Sequence, residues 1–87
     1  MSVTALGDRI RGVICEELAF EPDEVGDGAP LFSTGMVDSF TFVAIVSLVE
    51  AELGWQLDPG TITLDNFDSI DRILAFVARE RAASSPV

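Results

Sequence analysis

The 87-residue sequence contains no histidine and no lysine. The commonest general base and all Schiff-base chemistry are therefore missing, together with the Ser-His and Cys-His arrangements that activate a nucleophile. The glycine-rich phosphate-binding loop and the dinucleotide-binding glycine motif are also absent. We therefore expect no catalytic residue, and a protein that is not an enzyme.

Cysteine and long hydrophobic runs are equally scarce. The single cysteine, Cys15, has no partner within the chain, so a disulfide framework is excluded and a reducing compartment is favoured. No apolar run approaches the roughly 20 residues of a membrane span, and the N-terminus lacks the layout of a signal peptide. The sequence predicts a cytoplasmic protein without a membrane span.

Positively charged residues are also scarce. The sequence has five arginines and fifteen acidic residues, which gives a net charge of −10. Such a surface repels phosphate backbones and anionic lipid headgroups, which makes nucleic acids and membranes poor candidate partners. It attracts proteins with basic docking sites. Alternatively, the acidity only keeps a small domain soluble.

The acidic residues do not form a complete metal site. Asp23, Asp27 and Gly28 occupy positions one, five and six of an EF-hand loop. However, position three, which needs an oxygen ligand, is Val25, and position twelve, which needs a carboxylate, is Thr34. Adjacent carboxylates elsewhere would need a cleft to act as acid and base, and a chain of this size offers little room for one. No metal site is predicted.

What is present is a hydrophobic composition of 48% in a chain long enough for a single domain, residues 1–87. A domain of this size buries roughly 60% of the surface that its unfolded chain exposes, which is enough for one modest core. We expect a monomer whose end segments, residues 1–2 and 82–87, are frayed.

The spacing of apolar residues predicts an all-α fold, a four-helix bundle of three longer helices and one short one. The predicted helices are Val3–Leu18, Ser39–Leu53, one or two turns within residues 62–67, and a last helix that starts at Asp68 or Ser69. Gly54 is expected to end the second helix in a left-handed conformation. No segment alternates with the period of a strand.

One apolar stripe on each longer helix is predicted to form the core. The stripes are Val3, Leu6, Ile10, Val13, Ile14 and Leu18; then Phe42, Ile45, Val46, Val49 and Leu53; then Ile70, Ile73, Leu74 and Val77, with Phe76 at the edge. Gly7 lies on the first stripe, where it permits close approach of another helix. Leu31 and Phe32 are expected to anchor the long loop between the first two helices.

The segment Gly-Met-Val-Asp-Ser-Phe at residues 35–40 joins this loop to the second helix. One interpretation of Ser39 is an N-cap, whose hydroxyl accepts a hydrogen bond from a free backbone amide. The chain offers an internal comparison, because Asp68-Ser69 also precedes a helix and is expected to be a cap. The meaning of Ser39 therefore depends on the wider pattern around it.

That wider pattern, residues 31–53 together with the order of the helices, resembles the acyl and peptidyl carrier proteins, and in particular the free-standing aminoacyl carriers of the D-alanyl type. In this family an Asp-Ser pair followed by an apolar residue marks the attachment site of 4′-phosphopantetheine. The resemblance implies that Ser39 carries this group and that an acyl or aminoacyl cargo is held on it as a thioester. The alternative is a helical protein-interaction module without a prosthetic group.

The resemblance also implies a set of partner enzymes. These are a phosphopantetheinyl transferase, an adenylating or acyl-loading ligase, and downstream transferase, condensing or tailoring enzymes of a biosynthetic pathway. We expect them to recognise a surface formed by Asp38, Phe40, Val43, Ala44 and Ser47. Phe40 lies about 160° around the helix from Phe42, which places it opposite the core stripe.

Two departures from the family pattern refine the expectation. Thr41, Ala44 and Ala51 stand where fatty-acid carriers often have acidic residues, so docking along this helix should depend less on charge and more on apolar contact. Thr41 also replaces the glycine that is usual in D-alanyl carriers. Phe42 is bulky for a core position of the family, which predicts short cargo that stays exposed rather than a long chain inside the bundle.

Overall fold

The computed structural model describes residues 3–84, and this part of the chain folds into four α-helices. They are α1 (Val3–Leu18), α2 (Ser39–Leu53), α3 (Leu64–Phe67) and α4 (Ile70–Ser84), with single 3₁₀ turns at Pro22–Glu24 and Pro59–Thr61. No strand occurs within residues 3–84. The predicted all-α bundle of three longer helices and one short helix is confirmed.

The first helix has the predicted bounds and packs against α2 and α4. Leu6, Ile10 and Ile14 are fully buried, whereas Val13 and Leu18 are only half-buried; the Val3 side chain lies outside the described part. A Cβ atom at Gly7 would lie 3.1 Å from a methyl carbon of Leu74 on α4. Gly7 therefore allows the close approach of two helices, as predicted.

The predicted core stripe of α2 faces the interior of the bundle. Ile45, Val49 and Leu53 are buried, and Phe42 and Val46 pack half-buried against the core. Thr41 is 1% exposed. Although Thr41 stands where fatty-acid carriers often have an acidic residue, its side chain faces the bundle, on the same side of the helix as Ile45 and one turn before it.

The end of α2 follows the predicted left-handed cap. Gly54 has φ = 87°, and its N–H donates to the carbonyl of Glu50 at 2.8 Å. This conformation suits glycine because it has no Cβ atom. Ala19, which follows α1, adopts φ = 58° and is the non-glycine residue with a positive φ in the described chain.

The cap of the last helix is one of the two predicted residues, whereas two other details differ from the expectation. Ser69 caps α4, since its Oγ accepts a hydrogen bond from the N–H of Arg72 at 3.1 Å, and Asp68 does not. Phe76 is buried rather than at the edge, because the short α3 covers it and its ring contacts Phe67. The helix continues to Ser84 instead of fraying from Ala82. Residues 1–2 and 85–87 lie outside the described residues.

The loop of residues 19–38 is held to the helices by both apolar and polar contacts. Leu31 is fully buried, as predicted, and Phe32 is half-buried. Arg11 of α1 donates to the carbonyl of Val25 at 2.8 Å and pairs with the carboxylate of Asp27. No helix of the described residues is long and apolar enough to cross a membrane.

Candidate functional site

Ser39 is the first residue of α2, and the helix is capped by the residue before it. Asp38 has extended backbone angles, and its Oδ1 accepts a hydrogen bond from the N–H of Thr41 at 2.8 Å. The Ser39 side chain is exposed, and its hydroxyl makes no hydrogen bond with the described residues. The interpretation of Ser39 as the N-cap is therefore wrong, and its hydroxyl is available for chemistry.

The hydrogen bonds that Asp38 accepts also keep its carboxylate, next to the Ser39 hydroxyl, negatively charged. The backbone N–H of Thr41, followed by its hydroxyl, lowers the pKa of Asp38 below its ordinary value of 3.8. Asp38 is consequently ionised at neutral pH and a poor general base. The Ser39 hydroxyl therefore has no effective general base beside it on α2 or at its cap.

The segment leading to Ser39 is anchored by Asp68, which lies just before α4. Its Oδ1 accepts from the N–H groups of Phe32 (2.8 Å) and Ser33 (3.0 Å), and its Oδ2 accepts from the Ser33 hydroxyl (2.8 Å). Its backbone carbonyl accepts from the N–H of Leu31 at 2.6 Å, and the Leu31 carbonyl accepts from the N–H of Val37 at 2.9 Å. The chain is thus fixed up to the residue before the Asp38 cap.

This anchor was not foreseen from the sequence, which suggested only a cap at Asp68. Its partners lie 35 and 36 residues away, and no local spacing indicates such bonds. The amide of Ser33 is the main cause of a lowered pKa of Asp68, so the anchor is a charged one. The start of α4 and the approach to Ser39 therefore form one connected unit.

An open cleft of about 350 Å³ begins at Ser39. Its lining residues come from the loop, α2 and the region of α3: Phe32, Val37, Asp38, Ser39, Phe42, Ile62, Thr63, Leu64 and Phe67. The Phe42 ring makes edge contacts with Phe32 at 4.9 Å and with Phe67 at 5.9 Å between ring centres. Sequence reasoning missed Leu64, which is 53% exposed, because an isolated apolar residue in a short helix shows no periodicity.

The predicted partner residues lie around and beyond Ser39 on α2. Phe40 is 74% exposed and Val43 is 63% exposed, both far more than is usual for such side chains. Ser47 is exposed and Ala44 is half-buried. The spacing of residues 40, 43, 44 and 47 gives one helix face. The helix therefore presents an apolar strip next to the serine.

The sequence matches known proteins over most of its length. A family model described as the phosphopantetheine attachment site matches residues 8–77. The chain belongs to this phosphopantetheine-binding carrier protein family. Acyl carrier proteins from Rhodopseudomonas palustris strains BisB18 and HaA2 are each 31% identical to this carrier protein over 55 residues, which cover 63% of its chain and 70% of theirs.

Carrier proteins of this family bind 4′-phosphopantetheine covalently and are not enzymes themselves. The residues of this carrier fit such a group. Ser39 supplies an exposed hydroxyl, and the first turn of α2 offers backbone N–H groups and the positive end of the helix dipole to a phosphate. The cleft at Ser39 leaves room beside this hydroxyl. Within residues 3–84, no group of three or more potential metal ligands occurs.

Proposed function

We propose that Ser39 is the attachment residue and that the carrier holds an acyl or aminoacyl group as a thioester for enzymes of a natural-product or related biosynthetic pathway. The observation that supports this most directly is the free, exposed hydroxyl of Ser39 at the start of α2. Because Asp38 already caps the helix, modification of Ser39 removes no bond from the fold. The bound group supplies the thiol that forms the thioester.

In its own modification the carrier supplies only the nucleophile and the surface on which the modifying enzyme docks. Ser39 Oγ forms a bond to the β-phosphorus of coenzyme A while the bond to the bridging oxygen breaks and the adenosine bisphosphate portion leaves. A phosphopantetheinyl transferase has to accept the hydroxyl proton, since Asp38 is held as a hydrogen-bonded carboxylate. The amides at the start of α2 then face the phosphodiester.

The partner enzymes are proposed to recognise the strip formed by Phe40, Val43, Ala44 and Ser47, together with Asp38. These partners are the transferase, an adenylating or acyl-loading ligase, and downstream transferase, condensing or tailoring enzymes. Phe40 and Val43 supply the apolar part of the contact, because both side chains are largely exposed. The net charge of −10 favours basic surfaces around the apolar strip on the partner.

Intact mass spectrometry tests the attachment residue. The purified chain is incubated with coenzyme A and a promiscuous phosphopantetheinyl transferase, and we expect a single phosphopantetheine addition. Ser39→Ala should abolish the addition, while the matched variant Ser69→Ala should keep it, because Ser69 is buried and serves as a cap. Addition to the Ser39→Ala chain would refute the assignment. No addition to any chain would favour the interaction module instead.

A further inference from the structure

Thr41 is a polar residue buried in the bundle, with only 1% of its surface exposed. It lies on the core side of α2, one turn before Ile45. A buried hydroxyl without a hydrogen bond destabilises a fold, whereas a valine of the same shape would fill this position without a polar group. Within residues 3–84, every buried side-chain oxygen or nitrogen has a hydrogen-bond partner. The partner of the Thr41 hydroxyl shows what this hydroxyl contributes.

That partner is the carboxylate of Asp38. The N–H of Thr41 donates to Asp38 Oδ1 at 2.8 Å, and the Thr41 hydroxyl donates a second hydrogen bond to the same carboxylate. Thr41 is stiff at χ1 because it is β-branched, and the core encloses its side chain. One donor would leave the carboxylate free to turn about a single bond, whereas two donors from one stiff residue fix its direction. The packing of Thr41 thus determines the orientation of the Asp38 carboxylate.

The cap of α2 does not require this second bond. The first N–H groups of a helix lack partners within the helix, and Asp38 satisfies the N–H of Thr41. At the start of α4, the hydroxyl of Ser69 fulfils the same role with one hydrogen bond, which it accepts from the N–H of Arg72. The hydroxyl of Thr41 therefore adds orientation to the Asp38 carboxylate and satisfies no further backbone group of the cap.

The carboxylate held in this way is accessible to a partner protein. Asp38 is exposed next to Ser39, and none of the ion pairs among residues 3–84 includes it. Asp68, in contrast, uses both of its carboxylate oxygens to bind the loop. Asp38 thus presents a negative charge of defined direction beside the Ser39 hydroxyl. A charge-assisted hydrogen bond to a cationic group depends on such a direction.

Taking the attachment at Ser39 as given, we propose that Thr41 is a positioning residue for the modification of Ser39. Its hydroxyl holds the Asp38 carboxylate in the direction in which a cationic group of the phosphopantetheinyl transferase binds it. Thr41 is buried and acts only through Asp38. Because the contact with the transferase forms when the two proteins bind, loss of the orientation should raise KM for the carrier and leave kcat nearly unchanged.

Two substitutions of Thr41 with opposite expected effects test this inference. A promiscuous phosphopantetheinyl transferase loads the carrier at saturating coenzyme A while the carrier concentration is varied, and intact mass gives the rate. Thr41→Val keeps the shape and the backbone N–H but loses the hydroxyl. Its KM should rise on the order of fivefold, the contribution of one typical hydrogen bond, while its urea midpoint stays close to that of the unaltered chain. Thr41→Ser keeps the hydroxyl and loses a buried methyl group, so its urea midpoint should fall while its KM stays unchanged.

Two further variants serve as controls. Ser69→Ala removes the buried hydroxyl that caps the other helix, so it should lower the urea midpoint without a change in KM. Asp38→Asn should raise KM, because asparagine caps the helix but carries no charge. The double variant Asp38→Asn with Thr41→Val should show no higher KM than Asp38→Asn alone, since no charge is left to orient.

The contrary outcomes are distinct from failure of the attachment. An unchanged KM in Thr41→Val or in Asp38→Asn would overturn the inference. A KM that rises equally in Thr41→Ser or in Ser69→Ala would give Thr41 a structural role alone, and additive effects in the double variant would show that Thr41 does not act through Asp38. Each of these results still includes one addition to the unaltered chain. No addition to that chain would refute the attachment at Ser39, and this inference with it.

Discussion

Two Asp-Ser pairs precede helices in this chain, and they differ in which residue caps the helix. At Asp38-Ser39 the aspartate is the cap and the serine is the first helical residue, exposed and without a hydrogen bond in the described chain. At Asp68-Ser69 the serine is the cap and is buried, while the aspartate binds the loop amides ahead of it. The same dipeptide therefore takes two structures.

The difference arises from a shift of one residue in where the helix begins. One residue corresponds to about 100° of rotation around a helix, which is enough to exchange a buried position for an exposed one. The apolar residue after each pair follows the same rule, since Phe40 is 74% exposed and Ile70 is 1% exposed. In this chain the serine of the pair is exposed where the aspartate caps the helix, and buried where the serine itself is the cap.

The apolar residues that follow the two Asp-Ser pairs, Phe40 and Ile70, should differ most in how much their substitution destabilises the fold. Ile70→Ala should lower the free energy of unfolding by about 3 kcal/mol, because it leaves a cavity in the core. Phe40→Ala should change it by less than about 0.5 kcal/mol and instead slow loading by the transferase. Denaturant unfolding and initial loading rates measure the two effects. A large loss of stability in the Phe40 variant would place that residue in the core.

Substitution of the two aspartates should give the next largest difference in stability. Asp68→Ala should cost about 2 kcal/mol, since it leaves the amides of Phe32 and Ser33 without their charged acceptor. Asp38→Ala removes one capping bond and should cost less, while Asp38→Asn should preserve stability because asparagine also caps. Thermal unfolding gives the ranking. If Asp38→Asn keeps its stability yet loads slowly, the charge is read by the transferase; equal loading would assign Asp38 a capping role alone.

Substitution of the two serines should give a smaller difference in stability, again with the larger loss at the second pair. Ser69→Ala should lower the free energy of unfolding by about 1 kcal/mol, because the capping bond to the N–H of Arg72 is lost. Ser39→Ala should leave stability unchanged within error, since its hydroxyl supports no bond. Urea unfolding of both variants under identical conditions tests this. Equal losses would mean that both serines act as caps.

Low pH should reduce the stabilisation that the carboxylates of Asp38 and Asp68 give to the fold. The loss should be smallest near neutral pH. The folded pKa values of Asp38 and Asp68 lie below the ordinary 3.8. Their stabilisation is therefore complete above about pH 5 and is lost as the pH falls through the folded pKa values, where the carboxylates become protonated. Unfolding measured from pH 7 down to about pH 3 should show this fall, and it should be shallower in Asp68→Asn. An equally steep fall would show that other carboxylates cause it.

The local parts of this structure follow from the sequence, and the long-range parts do not. The bounds of α1 and α2 and the left-handed Gly54 were predicted because apolar spacing and end residues act within a few positions. The Asp68 anchor was missed because its partners are far away in the chain. Phe76 was misplaced for a related reason: its burial depends on which neighbour covers it, and helix periodicity does not specify that.

The capping bond of Asp38 has a consequence for how the protein can be used repeatedly. Because the cap of α2 is the Asp38 carboxylate and not the neighbouring hydroxyl, a substituent on that hydroxyl costs the fold no hydrogen bond. With the attachment proposed at Ser39, the start of α2 therefore keeps the same cap through every cycle of loading and release.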